Sequence, residues 1–173
     1  MGRTILIWTE RIIAAASHLG SYIMIPALIA VSIYDIVGRQ FFDTGSTRLQ
    51  ELEWHFFFAT VMLGLGYTYW QDRHVRIDLI SNRLSVKQRA WIELLGYVFL
   101  VLPFSWVLIR FGGQFAWIAW LDGEQARAAL GLTHRWIIKT TVPISGLLIL
   151  MAGTMLAWQN IQRLRGKTYD RET

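Results

Sequence analysis

The stretch that decides the fold is residues 136–158, WIIKTTVPISGLLILMAGTMLAW, an apolar run whose single charged residue, Lys139, lies near its start. A helix rises about 1.5 Å per residue, so about 20 residues of this kind cross the roughly 30 Å hydrocarbon core of a membrane. The run is long enough for that crossing. It therefore predicts a transmembrane helix.

Three more apolar runs lie upstream, at residues 12–36, 54–70 and 91–109. The chain has 173 residues, 54% of them hydrophobic, and they are bunched in these runs rather than spread evenly. We predict an all-α membrane protein, a single domain over residues 1–173, with four transmembrane helices at about 12–36, 54–70, 91–109 and 136–158. The first run exceeds the ~7–15 apolar residues of a cleaved signal peptide, so we expect it to stay in the mature protein.

Positive charge is divided unequally between the two sides of this predicted domain. One side carries eleven cations: Arg3, Arg11, Arg73, Arg76, Arg83, Lys87, Arg89, Arg163, Arg165, Lys167 and Arg171. The connections on the other side carry four: Arg39, Arg48, Arg127 and Arg135. Because Lys and Arg are retained on the cytoplasmic side, both termini are predicted to be cytoplasmic. Anionic headgroups at that surface also account for the net charge of +5 without any nucleic acid partner.

The residue types that carry catalysis or bind cofactors are scarce or badly placed. The chain has no cysteine, which excludes disulfides, thiolate nucleophiles and iron–sulfur sites. His18 and His55 fall near opposite surfaces of the membrane, so they cannot both bind one haem iron. His74 and His134 lie in connections on opposite sides. We therefore expect no catalytic, substrate-binding or metal site, no cofactor and no enzymatic activity.

The second run begins with QELEWHFFFATVMLGLGY, residues 50–67, which places two carboxylates ahead of an apolar helix. A carboxylate at the bilayer centre costs on the order of 2.5–3.5 kcal/mol, so Glu51 and Glu53 are expected at the outer surface. One interpretation is that they complement the helix dipole. The other is a partner interface on one face of this helix, with small residues that allow close approach. That interface would comprise Glu51, Glu53, Trp54, Thr60, Gly64 and Thr68.

Other small or unusual residues predict further helix packing. Trp106 lies in the middle of the third run, away from the membrane surfaces where tryptophan normally anchors, which indicates a protein-facing side. Gly20, Gly146 and Gly153 lie where another helix could approach. Packing within this chain's own bundle and packing against a partner both remain open for these positions.

Two connections are predicted to lie along the membrane surface. In RIDLISNRLSVKQRAW, residues 76–91, apolar residues recur at helical spacing among cations, as in an interfacial amphipathic helix. Its cations and those just before it are expected to contact lipid headgroups: Arg73, Arg76, Arg83, Lys87 and Arg89. In the third connection, Gly112 and Gly113 are predicted to break the helix, with an interfacial helix following on the outer side.

Several short motifs occur in a specific order: QELEW (50–54), GY (66–67), HVRID (74–78), NRLSVKQRAWIELLG (82–96), GE (123–124), GL (131–132) and RWIIK (135–139), with Pro143 four residues on. Over residues 38–143 the chain resembles the small membrane subunit of tripartite ATP-independent periplasmic (TRAP) transporters, the DctQ family. QELEW is similar to the branch labelled for mannitol or chloroaromatic compounds, some of whose systems handle 2-oxo or 2-hydroxy monocarboxylates. Thr133 and His134 depart from the proline and aromatic residue that this branch often carries.

The resemblance implies a static accessory subunit in a bacterial inner membrane. In such systems a periplasmic substrate-binding protein captures an organic anion, and a large DctM-like membrane subunit carries the substrate and sodium sites. The small subunit would enlarge and anchor the scaffold against which the transport domain moves. Its outward end, including Glu51 and Glu53, would also be near the docked binding protein.

Two other classes of function also use small helical membrane proteins. A membrane anchor of a respiratory or dehydrogenase complex would also be small and helical, but would need haem or quinone ligands, against which the placement of His18 and His55 argues. A four-span multidrug exporter would need a carboxylate buried in its first span, where the sequence shows His18.

Overall fold

The computed structural model describes residues 2–42, 46–71, 84–125 and 131–165. Its α-helices are α1 (Gly2–Leu19), α2 (Ile25–Phe41), α3 (Thr47–Trp70), α4 (Val86–Gly96), α5 (Leu102–Leu121) and α6 (Trp136–Leu164). The described ranges contain helices and no strand, which confirms the all-helical prediction.

Two π-helical turns join pairs of these helices into longer ones. Gly20–Met24 connects α1 to α2, and Tyr97–Val101 connects α4 to α5. Pro26 and Pro103 each follow one of these turns at the start of the next helix. A proline has no N–H, and its ring displaces the carbonyl four residues earlier, which here lies inside the π turn. The wider turn accommodates the proline, so the helix continues instead of ending.

Three helical segments of the described chain are long and apolar enough to cross a membrane: Leu6–Phe41, Val86–Leu121 and Trp136–Leu164. They contain the first, third and fourth predicted runs. Helix α3 contains the second run and has 24 residues, but it does not reach the same apolarity, because its first turns carry Glu51, Glu53 and His55. A fourth span therefore stays a prediction.

Helix α6 is the centre of the packing, with α5 along one side and α3 along another, and α1 packs against both α3 and α6. Neighbouring positions show that α3 runs parallel to α6: Gly66 faces Leu148, and Glu51 contacts Leu132 just before α6. Helix α5 runs antiparallel to α6, with Leu108 opposite Gly146.

Because of these directions, the helix ends lie at two opposite ends of the bundle, here called the terminal end and the loop end. The terminal end holds the beginnings of α1 and α4 and the ends of α3 and α6, where Trp70 Nε1 donates to Glu10 Oε1 at 3.3 Å. The loop end holds the α2–α3 and α5–α6 connections. Helices α1 and α6 thus place the first and last described residues at the same end, as the topology prediction requires. Which side of a membrane that end faces stays a prediction.

The core lies where α1, α3 and α6 meet. Its buried members are Ile13, Leu63, Trp70, Leu148, Ala152 and Met155. The closest approach is at Gly66, where a Cβ atom would lie 2.7 Å from Leu148 Cβ. A Cβ on Gly146 would lie 2.8 Å from Leu108 Cβ of α5, and a Cβ on Gly153 would lie 2.9 Å from the Tyr97 ring. Small residues therefore mediate helix packing inside this chain.

The predicted break at Gly112 and Gly113 is wrong, because α5 continues through both residues to Leu121. Gly112 is instead a packing position, where a Cβ would lie 2.7 Å from Val142 Cγ1. Glycine lowers helix propensity by only about 1 kcal/mol, whereas opening the backbone in an apolar environment leaves polar groups unpaired at several kcal/mol each. Residues 126–130, where part of the predicted outer interfacial helix falls, lie outside the described residues.

The other predicted interfacial helix is only partly described. Residues 72–83, with Arg73, Arg76 and Arg83, lie outside the described residues. The rest forms the first turns of α4, where Ser85 and Gln88 make a capping box. This segment continues directly into α5 as one long helix rather than forming a separate one.

Candidate partner-binding surface

Glu51 does not act as a simple helix-end charge. Its Oε2 accepts a hydrogen bond from the backbone N–H of Leu132 at 2.7 Å, and its carbonyl oxygen lies 2.5 Å from His55 Nδ1. Glu51 therefore fixes the connection between α5 and α6 against the beginning of α3. Neither interpretation from the sequence included this role, because the partner is 81 residues away along the chain.

Glu124 holds the same connection from its other side. It forms ion pairs with Lys139 and with Arg135, the latter at 3.8 Å. The Lys139 ammonium also lies 3.7 Å from the centroid of the Phe115 ring, a cation–π contact. Together with Glu51, these residues form a loop-end polar cluster comprising Glu51, Glu124, Arg135 and Lys139. The GE and RWIIK motifs thus supply three of its four charges, and QELEW supplies the fourth.

One part of the predicted interface on α3 packs against other helices of this chain, and the other part is exposed. A Cβ on Gly20 would lie 3.5 Å from the Cα of Thr60, so this part of the face packs against the π-helical turn after α1. A Cβ on Gly64 would meet nothing within 4 Å. Trp54 is 71% exposed. The available surface of α3 therefore runs through Trp54 and Gly64, and Thr60 lies at its margin.

The polar groups on this face have mostly local partners. The Thr60 hydroxyl donates to the Phe56 carbonyl at 2.8 Å, and the Thr68 hydroxyl donates to the Gly64 carbonyl at 2.9 Å. Glu53 differs, because its Oε1 atom is buried and has no hydrogen-bond partner among the described residues. Of this face, Glu53 is therefore the side chain with unused hydrogen-bonding capacity.

Trp106 belongs to a different surface. It is 60% exposed and makes an edge-on contact with Phe111, with ring centroids 5.9 Å apart. Its neighbour Ser105 is fully buried in the bundle. Residues two apart on a helix point about 200° apart, so Trp106 faces away from the side of α5 on which Phe104 approaches α3. The structure does not bring Trp106 and the α3 face together.

His18 and His55 are well separated along the bundle. The His18 ring stacks on Tyr22, with centroids 5.3 Å apart, and lies 6.2 Å from the Tyr67 ring. Tyr67 is twelve residues beyond His55, about 18 Å along α3. Over the described residues there is no group of three side chains that could hold a metal ion.

Two buried polar pairs were missed by the sequence interpretation. Asp35 is 1% exposed and forms an ion pair with Arg39, with Oδ2 and Nη2 2.5 Å apart. The four-residue spacing of an acid and a base on one helix would have indicated it. At the terminal end, Asn160 Nδ2 donates to Glu93 Oε2 at 2.7 Å. This second pair joins α4 to α6 over a separation that no local pattern shows.

The two described headgroup candidates differ in their surroundings. Lys87 is exposed on the first turn of α4. Arg89 is half-buried, and its Nε lies 3.3 Å from Glu93 Oε1. Arg89 therefore contributes to the packing of the terminal end, whereas Lys87 faces outward.

Long apolar helices, packing through small residues and ion pairs near the two ends of the bundle define a multi-pass membrane protein. The family model described as "Tripartite ATP-independent periplasmic transporters, DctQ component" matches residues 28–163, and the chain belongs to this family. A search of curated proteins found no match. The family comprises small permease subunits, which work with DctM and a substrate-binding protein and are not enzymes. The predicted family is confirmed, and the mannitol and chloroaromatic branch stays a prediction.

Proposed function

We propose that this chain is the accessory subunit that scaffolds the large membrane subunit of a TRAP transporter for sodium-coupled uptake of organic acids by secondary active transport. The observation that carries the proposal is the family match over residues 28–163. The cell membrane would be a bacterial inner membrane. From the resemblance of QELEW to one branch, the substrate class would be a 2-oxo or 2-hydroxy monocarboxylate.

The distribution of polar groups supports an accessory role. A transporter that binds its own substrate usually has interrupted helices near the membrane midplane, whose free ends face the ligand. Here the π-helical turns keep α1–α2 and α4–α5 continuous. Among the described carboxylates, Asp35 is paired near the loop end and Glu93 near the terminal end. The described residues therefore offer structural pairs at the ends rather than a site at the centre.

The proposed topology has four spans, with α3 as the second and both termini cytoplasmic. The length of α3 and its buried residues Ala59, Leu63, Gly66 and Trp70 support a membrane-crossing position beside α6. The excess of cations at the terminal end supports its cytoplasmic placement. Reporter fusions after Arg89 and in the C-terminal tail should read cytoplasmic, and fusions near Gly45 and Glu124 should read external. A tail that reads external would refute the topology.

The loop end would then face the periplasm, where the substrate-binding protein docks. The loop-end polar cluster holds the α5–α6 connection in place beside the beginning of α3. Ordering this connection in advance reduces the entropy lost on binding. We propose that this surface, including Glu51 and Glu53, approaches the docked binding protein.

Reconstitution tests the accessory role directly. Proteoliposomes that hold this chain alone should show no uptake of sodium or of 2-oxo and 2-hydroxy acids. Proteoliposomes that hold the chain with its large subunit, supplied with the binding protein outside, should take up the acid only under a sodium gradient. Uptake by this chain alone would contradict the proposal, as would full transport by the large subunit and binding protein without it.

A further inference from the structure

The exposed side of α3 is bordered by an apolar cleft on one side and by a cluster of polar aromatic side chains on the other. The cleft lies between α3 and the α4–α5 helix over α6, has a volume of about 350 Å³, and is lined by Leu65, Tyr69, Leu100, Val101, Phe104 and Ile149. Its lining is almost entirely apolar. Lipid tails can fill such a cleft without leaving polar groups unpaired.

On the α1 side of α3, three side chains form a cluster of polar aromatic rings. His18 lies here with its ring 5.3 Å from that of Tyr22 and 6.2 Å from that of Tyr67. His18 is exposed, and Tyr22 is 73% exposed. None of these three side chains makes a hydrogen bond to the described residues; their contacts are between rings.

In the proposed topology, His18 and Tyr22 lie within the first span and Tyr67 within the second. His18 is seven residues from Arg11, the nearest cation on its described helix, which is about 10 Å along the axis. Its ring always has a nitrogen that donates or accepts hydrogen bonds, and each tyrosine adds a hydroxyl. A polar group without a partner in hydrocarbon is costly, and lipid tails offer no acceptor. These side chains therefore require a polar partner from outside the described chain.

The neighbouring backbone is open to such a partner. Gly64 lies one helical turn before Tyr67, and a Cβ at Gly64 would meet nothing within 4 Å. In membranes, small residues let the backbones of two helices approach closely, and His side chains hydrogen-bond between helices. The cluster thus adds unused hydrogen-bonding groups to a close-approach position on one side of α3.

We propose that His18, Tyr22, Tyr67 and Gly64 form the binding surface for a transmembrane helix of the large subunit, and that this helix supplies a hydrogen-bond partner to the His18 imidazole. The inference rests on the proposed function. The surface is continuous with the exposed face of α3, and the family is one component of a three-part transporter, so a second membrane component exists to cover it. The partner helix carries a carbonyl, hydroxyl or carboxylate oxygen facing His18 and a small or flat surface facing Gly64.

The test is co-purification of the large subunit with the tagged chain from mild detergent. His18→Leu should weaken retention about three- to tenfold, the range expected for one interhelical hydrogen bond. His18→Gln, which keeps hydrogen-bonding capacity, should restore most of it. Gly64→Leu should release the large subunit more completely, because the leucine occupies the space of the partner backbone. Tyr67→Phe should weaken retention, whereas the matched control Tyr34→Phe on the exposed side of α2 should not.

Each variant is also purified alone, and its elution profile and thermal unfolding should match those of the wild type. His18 is exposed, a Cβ on Gly64 meets nothing within 4 Å, and Tyr67→Phe keeps the ring that packs against the core. Wild-type retention by both His18→Leu and Gly64→Leu would overturn the inference while leaving the proposed function intact. So would an intact complex in which these variants change only self-association or the amount of bound phospholipid. Failure of the wild-type chain to retain the large subunit would overturn the proposed function and this inference together.

Discussion

Replacement of Gly66 by alanine should destabilise the bundle, whereas the same change at Gly64 should not. A Cβ at Gly66 would lie 2.7 Å from Leu148 Cβ, 2.9 Å from its carbonyl carbon and 3.0 Å from its carbonyl oxygen. Two of these atoms are backbone, so no side-chain rotation relieves the clash. Carbon atoms pack at about 3.5–4.0 Å, and α3 and α6 must therefore separate by about 1 Å at the centre of the core.

The expected magnitude follows from two opposing effects. Overpacking of a well-packed core costs about 1–3 kcal/mol, and the gain in helix propensity from glycine to alanine offsets up to about 1 kcal/mol. Gly66→Ala should thus lower the free energy of unfolding by about 1–2 kcal/mol. At Gly64, where a Cβ meets nothing within 4 Å, only the propensity gain remains, so the change should be neutral or stabilising by up to about 1 kcal/mol.

Unfolding in mixed micelles, followed by tryptophan fluorescence as the denaturing detergent is increased, measures this difference. Trp70 is buried in the affected core and reports on its opening. Gly64→Ala is the matched control, because it changes the same residue type on the same helix. Equal stability of the two variants would refute the assigned rotation of α3 about its axis.

Three further predictions concern the two buried polar pairs and the Glu51 hydrogen bond. Asn160→Leu should lower the free energy of unfolding by about 1–3 kcal/mol by removing the hydrogen bond that the buried Asn160 amide donates to Glu93 Oε2, and a double-mutant cycle with Glu93→Gln should show coupling above about 0.5 kcal/mol; additive effects would contradict the pairing. Arg39→Gln should destabilise the chain by about 1–3 kcal/mol, and Asp35→Asn by less, because only the first leaves the buried Asp35 carboxylate without its cation, and the half-exposed Arg39 limits the loss; the reverse order in thermal unfolding would be inconsistent with this pair. Glu51→Ala should speed proteolysis of the α5–α6 connection without changing the core, whereas unchanged cleavage rates would show that its backbone hydrogen bond does not hold the loop.

Features that depend on local composition could be predicted from the sequence. Length and apolarity identified the helices around residues 12–36, 91–109 and 136–158, because the thickness of a membrane sets one requirement that each run meets by itself. The ordered motifs from QELEW to RWIIK predicted the family, which the match over residues 28–163 confirms.

Features that depend on the rotation of a helix or on distant partners were decided only by the tertiary structure. The sequence shows two glycines, Gly64 and Gly66, near the end of one run, but their directions differ by about 200°, and the position of α6 decides which one is packed. Glu51 accepts a hydrogen bond from a residue 81 positions away, and Gly112 is a helix-packing position rather than a helix break. Periodicity reports which residues share a face of a helix, but not what lies against that face, because the neighbour is chosen by the folding of the whole chain.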